Sequence, residues 1–349
     1  MSAQTRQLRI WWLDDEPDRL KKFPQNAIAR PSHLPNRRAK LKIVPLKQND
    51  GISVVLKDLE DAKKEKCLPD LIVIDQMLHL LVDVQRGSSW AAVIHDNHPE
   101  IALVGMTGDV PAVEELQKSK FIDFYQRDDI ATGDCIPDLY AIADGYAALT
   151  KFFNLRGSAI STPLGICKLV KCPKDDEELF IACIPGNFKS NWDSGTSHLF
   201  ARWIWNRLLK RPGLLYDALE IATLLGLKLD GLRLVEKHFE KCKYVGVFAS
   251  TNRPRWWVSQ VRDKIRELMK ANMSQPLWSL GRDLAGGERR KNFFSKCHGR
   301  LNSPDAPTVV AFSDGTLRTR VQAAIADTIP VETDSPVIGF EQRRMFVRS

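Results

Sequence analysis

No apolar run in this 349-residue chain approaches the roughly 18–20 residues needed to cross a bilayer. The opening segment, MSAQTRQLRIWWLDDEP, has no apolar stretch followed by a small-residue cleavage site. The expectation is a protein neither secreted nor membrane-inserted, working in the cytoplasm. Cysteine is sparse: seven residues, at 67, 135, 167, 172, 183, 242 and 297, odd in number and irregularly spaced. That speaks against a disulfide framework and fits free or buried thiols in a reducing compartment. GxxxxGK[ST], GxSxG and HExxH patterns are also missing, so a P-loop, a hydrolase nucleophile elbow and a zinc-protease site have no support.

What is present is an ordinary globular balance, 44% hydrophobic and 27% charged, in a length that suggests two domains. The charge is uneven. Residues 1–150 carry net −4 and residues 151–349 carry net +12, which together make the chain's +8. An acidic front and a basic back imply two jobs, the basic half suited to a polyanion or to an acidic protein surface.

The front half alternates short apolar runs with helical spacing. Strands are predicted at 8–13 (LRIWWL), 41–46 (LKIVPL, at a sheet edge because of Pro45), 70–75 (DLIVID), 101–106 (IALVGM) and 121–127. Helices are predicted at 52–66, where Val54, Val55, Leu59 and Ala62 repeat at helical spacing, and at 88–95, 111–118 and 136–153. Residues 28–39 read as a Pro- and Arg-rich loop. Such alternation predicts a five-stranded parallel sheet, doubly wound, with its ligand site at the carboxyl ends of the strands. Those ends are chemically distinctive. Strand one ends in Asp14 and Asp15, strand three in Asp75, strand four in Thr107 and strand five in Arg127. Crowded carboxylates repel, and a hard oxygen-seeking cation such as Mg²⁺ relieves that repulsion. A phosphoryl group at Asp75 would need a metal, a hydroxyl and a cation around it. Of Trp11 and Trp12, alternation along the strand predicts one buried and one beside the acidic pocket.

WLDDEPDRL, PDLIVIDQML, VGMTGD and DFYQR, in this order and at these spacings, resemble the response-regulator receiver (CheY-like) domain over residues 7–153. The resemblance implies a flavodoxin-like fold. It makes Asp75 the phosphoacceptor, Asp15 the main Mg²⁺ ligand supported by Asp14, and the Met77 backbone carbonyl a further ligand. Thr107 would hydrogen-bond the acyl phosphate and Phe124 would be the switch aromatic. It also implies a sensor histidine kinase or another phosphodonor as partner. Three positions depart from the pattern: Arg127 stands where the family has lysine, Asp128 where a proline usually follows, and His79 where a proline usually stands. Arginine keeps the charge but is planar, forked and longer.

The second half resembles no family. A linker is expected at 156–163, a mixed, mostly helical output domain at 164–272, and a basic extension or subdomain at 273–349. Within it a β-hairpin is expected at 164–184, helices at 197–210, 214–227, 229–244 and 255–270, and strands at 245–249 and 307–312. Two helices, a tight connection, a strand and a basic segment fit a winged helix. There 229–244 would be the recognition helix, presenting Arg233, Lys237, Lys241 and Lys243 to DNA, with Arg253, Arg255 and Arg262 on phosphates. Glu236 and Glu240 lie close to the same face and oppose that reading.

Three functional readings stay open. One is a response regulator, switched by Mg²⁺-dependent aspartyl phosphorylation, that controls transcription through a DNA-binding output domain. Another is a pseudo-receiver adaptor that docks protein partners, or a second copy of itself, without phosphate. The third is a receiver-controlled effector enzyme. No catalysis beyond phosphorylation and dephosphorylation of the receiver itself is expected on present motifs.

Overall fold

The computed structural model describes residues 7–16, 28–29, 38–47, 51–78, 85–108, 119–156, 163–188, 194–210, 213–250, 253–269 and 277–287, together with strands at 308–313, 320–322 and 337–339. The helix expected at 111–118, most of the 28–39 loop, and His79 lie outside the described residues. No described helix is long and apolar enough to cross a membrane. The chain divides into two compact units. One comprises residues 1–172, 179–210 and 245–252; the other comprises 173–178, 211–244 and 253–349. This differs from a division near residue 155, because three stretches of the expected output domain, 164–172, 179–210 and 245–252, group with the front half.

The first unit is built on five parallel strands: β1 (Leu8–Asp14), β2 (Ala39–Pro45), β3 (Leu71–Asp75), β4 (Ala102–Thr107) and β5 (Asp123–Gln126). Their spatial order is β2-β1-β3-β4-β5, all neighbours parallel. This is the flavodoxin-like order of receiver folds. Every residue of β3 and of β4 is buried, as expected where helices cover both faces of a parallel sheet. That coverage corrects the expectation for the tryptophan pair. Trp11 and Trp12 are both buried, at 5% and 1% exposure, because neither face of β1 meets water. The two edge strands β2 and β5 have exposed or half-buried positions between buried ones, and Pro45 ends β2 just before Leu46 N–H makes a last bond to the Asp14 carbonyl at 3.0 Å.

Helix α1 (Ile52–Lys64) buries Val55, Leu59 and Ala62, one stripe at helical spacing. Helix α2 (Gly87–Asn97) buries Trp90, Ala91 and Ile94 against the same core, which also holds Leu13, Ile72, Ile74, Leu103 and Phe121. The long helix α3 (Ile136–Arg156) follows β5. Beyond it, α4 (Pro163–Val170) and a second short helix, Glu177–Cys183, replace the expected β-hairpin. The correction has a local cause: Pro163 suits a first helical turn, and apolar Ile166, Cys167 and Val170 share one helical face that is fully buried.

The helix expected at 197–210 is present as α5 (Ser194–Trp203), continued by a π-helical stretch, Ile204–Leu209. It is anchored to the base of the sheet. The Arg202 guanidinium donates to the Ser119 carbonyl at 2.7 Å and Asn206 Nδ2 to the Ile122 carbonyl at 2.7 Å. Trp205 Nε1 donates to Asp123 Oδ2 at 2.8 Å, and Lys210 Nζ pairs with the same oxygen. Wide π-turns are rare and accompany positions where side chains must be re-aimed, here onto the first residue of β5. Residues 245–249 are not a strand but a turn, with Phe248 at φ 63°.

In the second unit, Leu215–Tyr216 pairs antiparallel with Trp256–Trp257. Helix Ala218–Leu224 begins with a reciprocal cap: Asp217 N–H donates to Glu220 Oε2 and Glu220 N–H to Asp217 Oδ1, both at 2.7 Å. Helices Val258–Met269 and Leu277–Leu284 close a core around Tyr216, Ile221, Val235, Phe239, Trp256 and Ile265. The strand expected at 307–312 is Thr308–Ser313, central in a three-stranded antiparallel sheet. The expected recognition helix does not form. Residues 229–244 break into a 3₁₀ turn (Leu229–Gly231), one α-turn (Leu232–Val235) and a 3₁₀ stretch (Glu236–Cys242). At three residues per turn, Lys237 lines up with Glu240 rather than with Lys241.

Where α2 meets α5, the His95 and His198 rings lie against each other, centroids 4.7 Å apart and planes tilted by 44°, at 3% and 1% exposure. Burial, then the adjoining His95, Arg202 and Lys120, pushes His198 well below the usual histidine value, and burial with Lys120 lowers His95. Both rings therefore resist protonation in the folded state, while unfolded histidine takes up a proton below about 6.5. The stability they preserve is fully present above that value and is lost as pH falls through it. As the pH is lowered from 7.5 to 5, the urea midpoint of His198→Phe should rise relative to that of the parent, because the variant lacks the buried imidazole that opposes protonation. A midpoint difference that does not change with pH would refute this origin.

Candidate functional site

Sheet register alone brings the site together. Leu13 is level with Ile74, so Asp14 and Asp75 lie one step further along two adjacent strands. Asp75 is level with Met106 and Thr107 with Gln126, which places Thr107 and Arg127 progressively beyond them on the same rim. Asp14, Asp15 and Asp75 are all buried, and one carboxylate oxygen from each lies within 4.8 Å of the others. Thr107 is buried at the end of β4.

Three carboxylates held out of water at this separation oppose one another's ionisation. Burial, reinforced by Asp75 and Asp15, raises Asp14 to about 6 against the pull of the Glu16 N–H, which donates to Asp14 Oδ1 at 2.8 Å. Burial also raises Asp75, opposed chiefly by Arg127. Arg127 Nη2 lies 2.6 Å from Asp75 Oδ2, a short charge-assisted pair, and the Met77 N–H donates to Asp75 Oδ1 at 3.3 Å. The other oxygen of Asp14, Oδ2, is buried with no hydrogen-bond partner among the described residues. An all-oxygen donor set with one orphaned carboxylate oxygen fits a hard divalent cation, held by Asp14, Asp15 and Asp75.

Phe124, half-buried on β5, packs edge-on against Phe121 with centroids 4.8 Å apart. Its ring lies over Gly105 of β4, where an added Cβ would come within 2.3 Å of it. Two residues that matter were not singled out from sequence. Gly87 N–H donates to the Gln76 carbonyl at 2.9 Å, and a Cβ there would lie 2.1 Å from the Asp75 carbonyl oxygen. Asp123, at the base of β5, takes both Trp205 and Lys210. A single glycine and a single acid carry no spacing signal, so only the fold reveals either.

The expected DNA-contacting residues are not gathered on a helix. Arg233, Lys237, Lys241, Arg253 and Arg262 are exposed, and Arg255 is half-buried with Nη1 3.9 Å from Asp217 Oδ2. Lys243 is taken up by Glu236 at 2.9 Å and Glu240 at 2.7 Å. Residues 229–244 therefore offer no continuous helix for readout.

No family model matches the sequence and no curated protein matches it. Among solved structures, the chain is similar to a LuxR-family two-component response regulator from Aurantimonas sp. SI85-9A1 at 13% identity, covering 40% of this chain and 87% of that one, TM-score 0.30. It is similar to a CheY-like receiver domain protein from Methanospirillum hungatei JF-1 at 14% identity, covering 40% and 97%, TM-score 0.29. It is also similar to the receiver domain of a putative Luxo repressor protein from Vibrio parahaemolyticus at 19% identity, covering 44% and 99%, TM-score 0.29. At these values the chemistry of the pocket rests on its own geometry.

Two outcomes follow. Because the folded state keeps a proton on Asp14 up to about pH 6 while the unfolded chain loses it near 3.8, stability from this group falls as pH rises across that window. Asp14→Asn should therefore stabilise the metal-free protein at pH 7, by on the order of 1–3 kcal/mol in urea unfolding, and should remove stabilisation by added Mg²⁺. A destabilised Asp14→Asn protein would contradict the crowding argument. Gly87→Ala should cost more than about 1 kcal/mol, because the added methyl meets backbone rather than a movable side chain.

Proposed function

We propose that the first unit is a phosphoryl-accepting signalling switch. The observation that carries the reading is the buried triad of Asp14, Asp15 and Asp75 with Arg127 2.6 Å from Asp75. In this reading an Asp75 carboxylate oxygen attacks the phosphorus of a phosphodonor. The new P–O bond forms as the bond to the donor's leaving group breaks, leaving an acyl phosphate. Mg²⁺, when bound, neutralises the crowded carboxylates and the charge on the arriving phosphoryl group. Asp15 and Asp14 would hold it, and the Met77 carbonyl would be a further ligand. The Arg127 guanidinium releases Asp75 and takes phosphoryl oxygens instead, a geometry its fork suits. The Thr107 hydroxyl donates to the acyl phosphate, and Phe124, released from its seat on Gly105, changes the surface beside β5. A sensor histidine kinase or a small acyl phosphate supplies the group. The second unit, with its exposed arginines and lysines, is the output, and an anionic partner, nucleic acid or protein, suits its charge.

A second reading is favoured by one feature. Arg127 already neutralises Asp75 directly, so the pocket has a resting state that needs no phosphate. A pseudo-receiver that docks partners in this state would keep the same residues.

The test is incubation of the full chain with acetyl phosphate and Mg²⁺, followed by intact-mass spectrometry. One added, hydroxylamine-labile phosphoryl group, absent from Asp75→Ala and from metal-chelated protein, is the expected result. No modification of a folded protein that binds Mg²⁺ would overturn the switch and leave the docking reading.

A further inference from the structure

Away from the acidic rim, the first unit carries an open cavity of about 460 Å³ between α3, the end of α4 and the 245–249 turn. Its volume is within the range of small-molecule sites, roughly 300–1,000 Å³. The floor is apolar: Ala141, Gly145, Ala148 and Phe152 from α3, with Leu169 and Val247 opposite. Charge is confined to three lining residues, Asp144, Lys168 and Lys171. Both lysines are exposed, and neither has an ion-pair partner among the described residues.

The walls are built at some conformational expense. Helix α4 ends with Cys172 N–H on the Cys167 carbonyl at 2.8 Å and Lys171 N–H on the Lys168 carbonyl at 3.3 Å. This termination favours glycine at its left-handed position, yet lysine occupies it at φ 56°, beside the cavity. Phe248 is also left-handed, at φ 63°, with no helix end to explain it. Its ring lies so close to α3 that a Cβ on Gly145 would come within 2.4 Å of it. The turn is fixed on both sides, by Val247 N–H to the Leu169 carbonyl at 3.4 Å and by Ser250 Oγ to Asp138 Oδ1 at 2.9 Å. Val245 at the mouth is 67% exposed. A fixed wall with an apolar floor, an exposed apolar lip and two lysines against one acid is a preformed amphipathic site.

We propose that this cavity binds a small amphipathic carboxylate, its apolar body over Gly145, Ala148, Phe152 and Val247 and its anionic head between Lys168 and Lys171. The site is independent of the acidic pocket and of whether Asp75 is phosphorylated. Charge-assisted hydrogen bonds set the expected scale: loss of both lysines should weaken binding by about tenfold or more.

The probe is octanoate, with octylamine as the charge-reversed control, titrated calorimetrically into the full chain. Saturable one-site binding of octanoate and none of octylamine is expected. Lys168→Gln/Lys171→Gln changes only exposed side chains and should weaken octanoate about tenfold or more. Ala148→Trp, at an exposed position of α3, should block the cavity while circular dichroism stays that of the parent. Asp75→Ala should bind octanoate like the parent. Absence of saturable binding, equal binding of octylamine, or less than about threefold weakening in the double lysine variant would overturn the proposal.

Discussion

Three carboxylates are held out of water at the ends of two neighbouring strands, and everything around them answers to their mutual repulsion. Asp14 keeps its proton to about pH 6, and Asp75 is buried and matched by a guanidinium 2.6 Å away. A buried anion paired with one cation is tolerable; three crowded anions with one cation are not, unless protons or a metal make up the difference. The pocket therefore has two ways of being neutral, a protonated one and a cation-bound one. Arg127 is the element common to both. It is also the residue that any group arriving at Asp75 must displace or recruit.

The same strand that delivers Arg127 to the rim is held at its other end. Asp123 opens β5 and accepts from Trp205 while pairing with Lys210, both from the helix that continues as a π-helical stretch. Phe124, the next residue, lies over Gly105, where no side chain with a Cβ could leave it room. Five consecutive residues, from Asp123 through the strand to Arg127 just beyond it, thus connect an ion pair at the rim, an aromatic seat in the middle and a clamp at the base. The clamp comes from sequence far beyond β5, which is why residues 179–210 group with the first unit.

In the second unit, charge is abundant but not ordered into a nucleic-acid-reading helix. Glu236 and Glu240 hold Lys243, and the 3₁₀ winding sends Lys237 and Lys241 to different sides. An exposed, dispersed positive surface attracts polyanions without specifying a base sequence. The net +12 of residues 151–349 is shared between the two units.

The parallel sheet was legible in the chain because each buried strand is a short apolar run ending in a functional residue. Strand type, strand end and spacing are all local properties. Asp14, Asp15, Asp75, Thr107 and Arg127 could be placed on one rim from order alone, since a parallel sheet aligns its carboxyl ends. The second half was read poorly for a matching reason. LGICKLVKC and the 229–244 segment carry apolar spacings compatible with more than one winding, and packing against distant residues chose between them. Single glycines gave no signal either. Gly87, Gly105 and Gly145 matter only through what a side chain would strike: the Asp75 carbonyl, the Phe124 ring and Phe248. The sequence by itself determined which groups meet at the rim, because periodicity and strand order are written along the chain. The tertiary structure alone decided the Arg127–Asp75 contact, the Asp123 clamp and the cavity, because each joins residues whose proximity only packing sets.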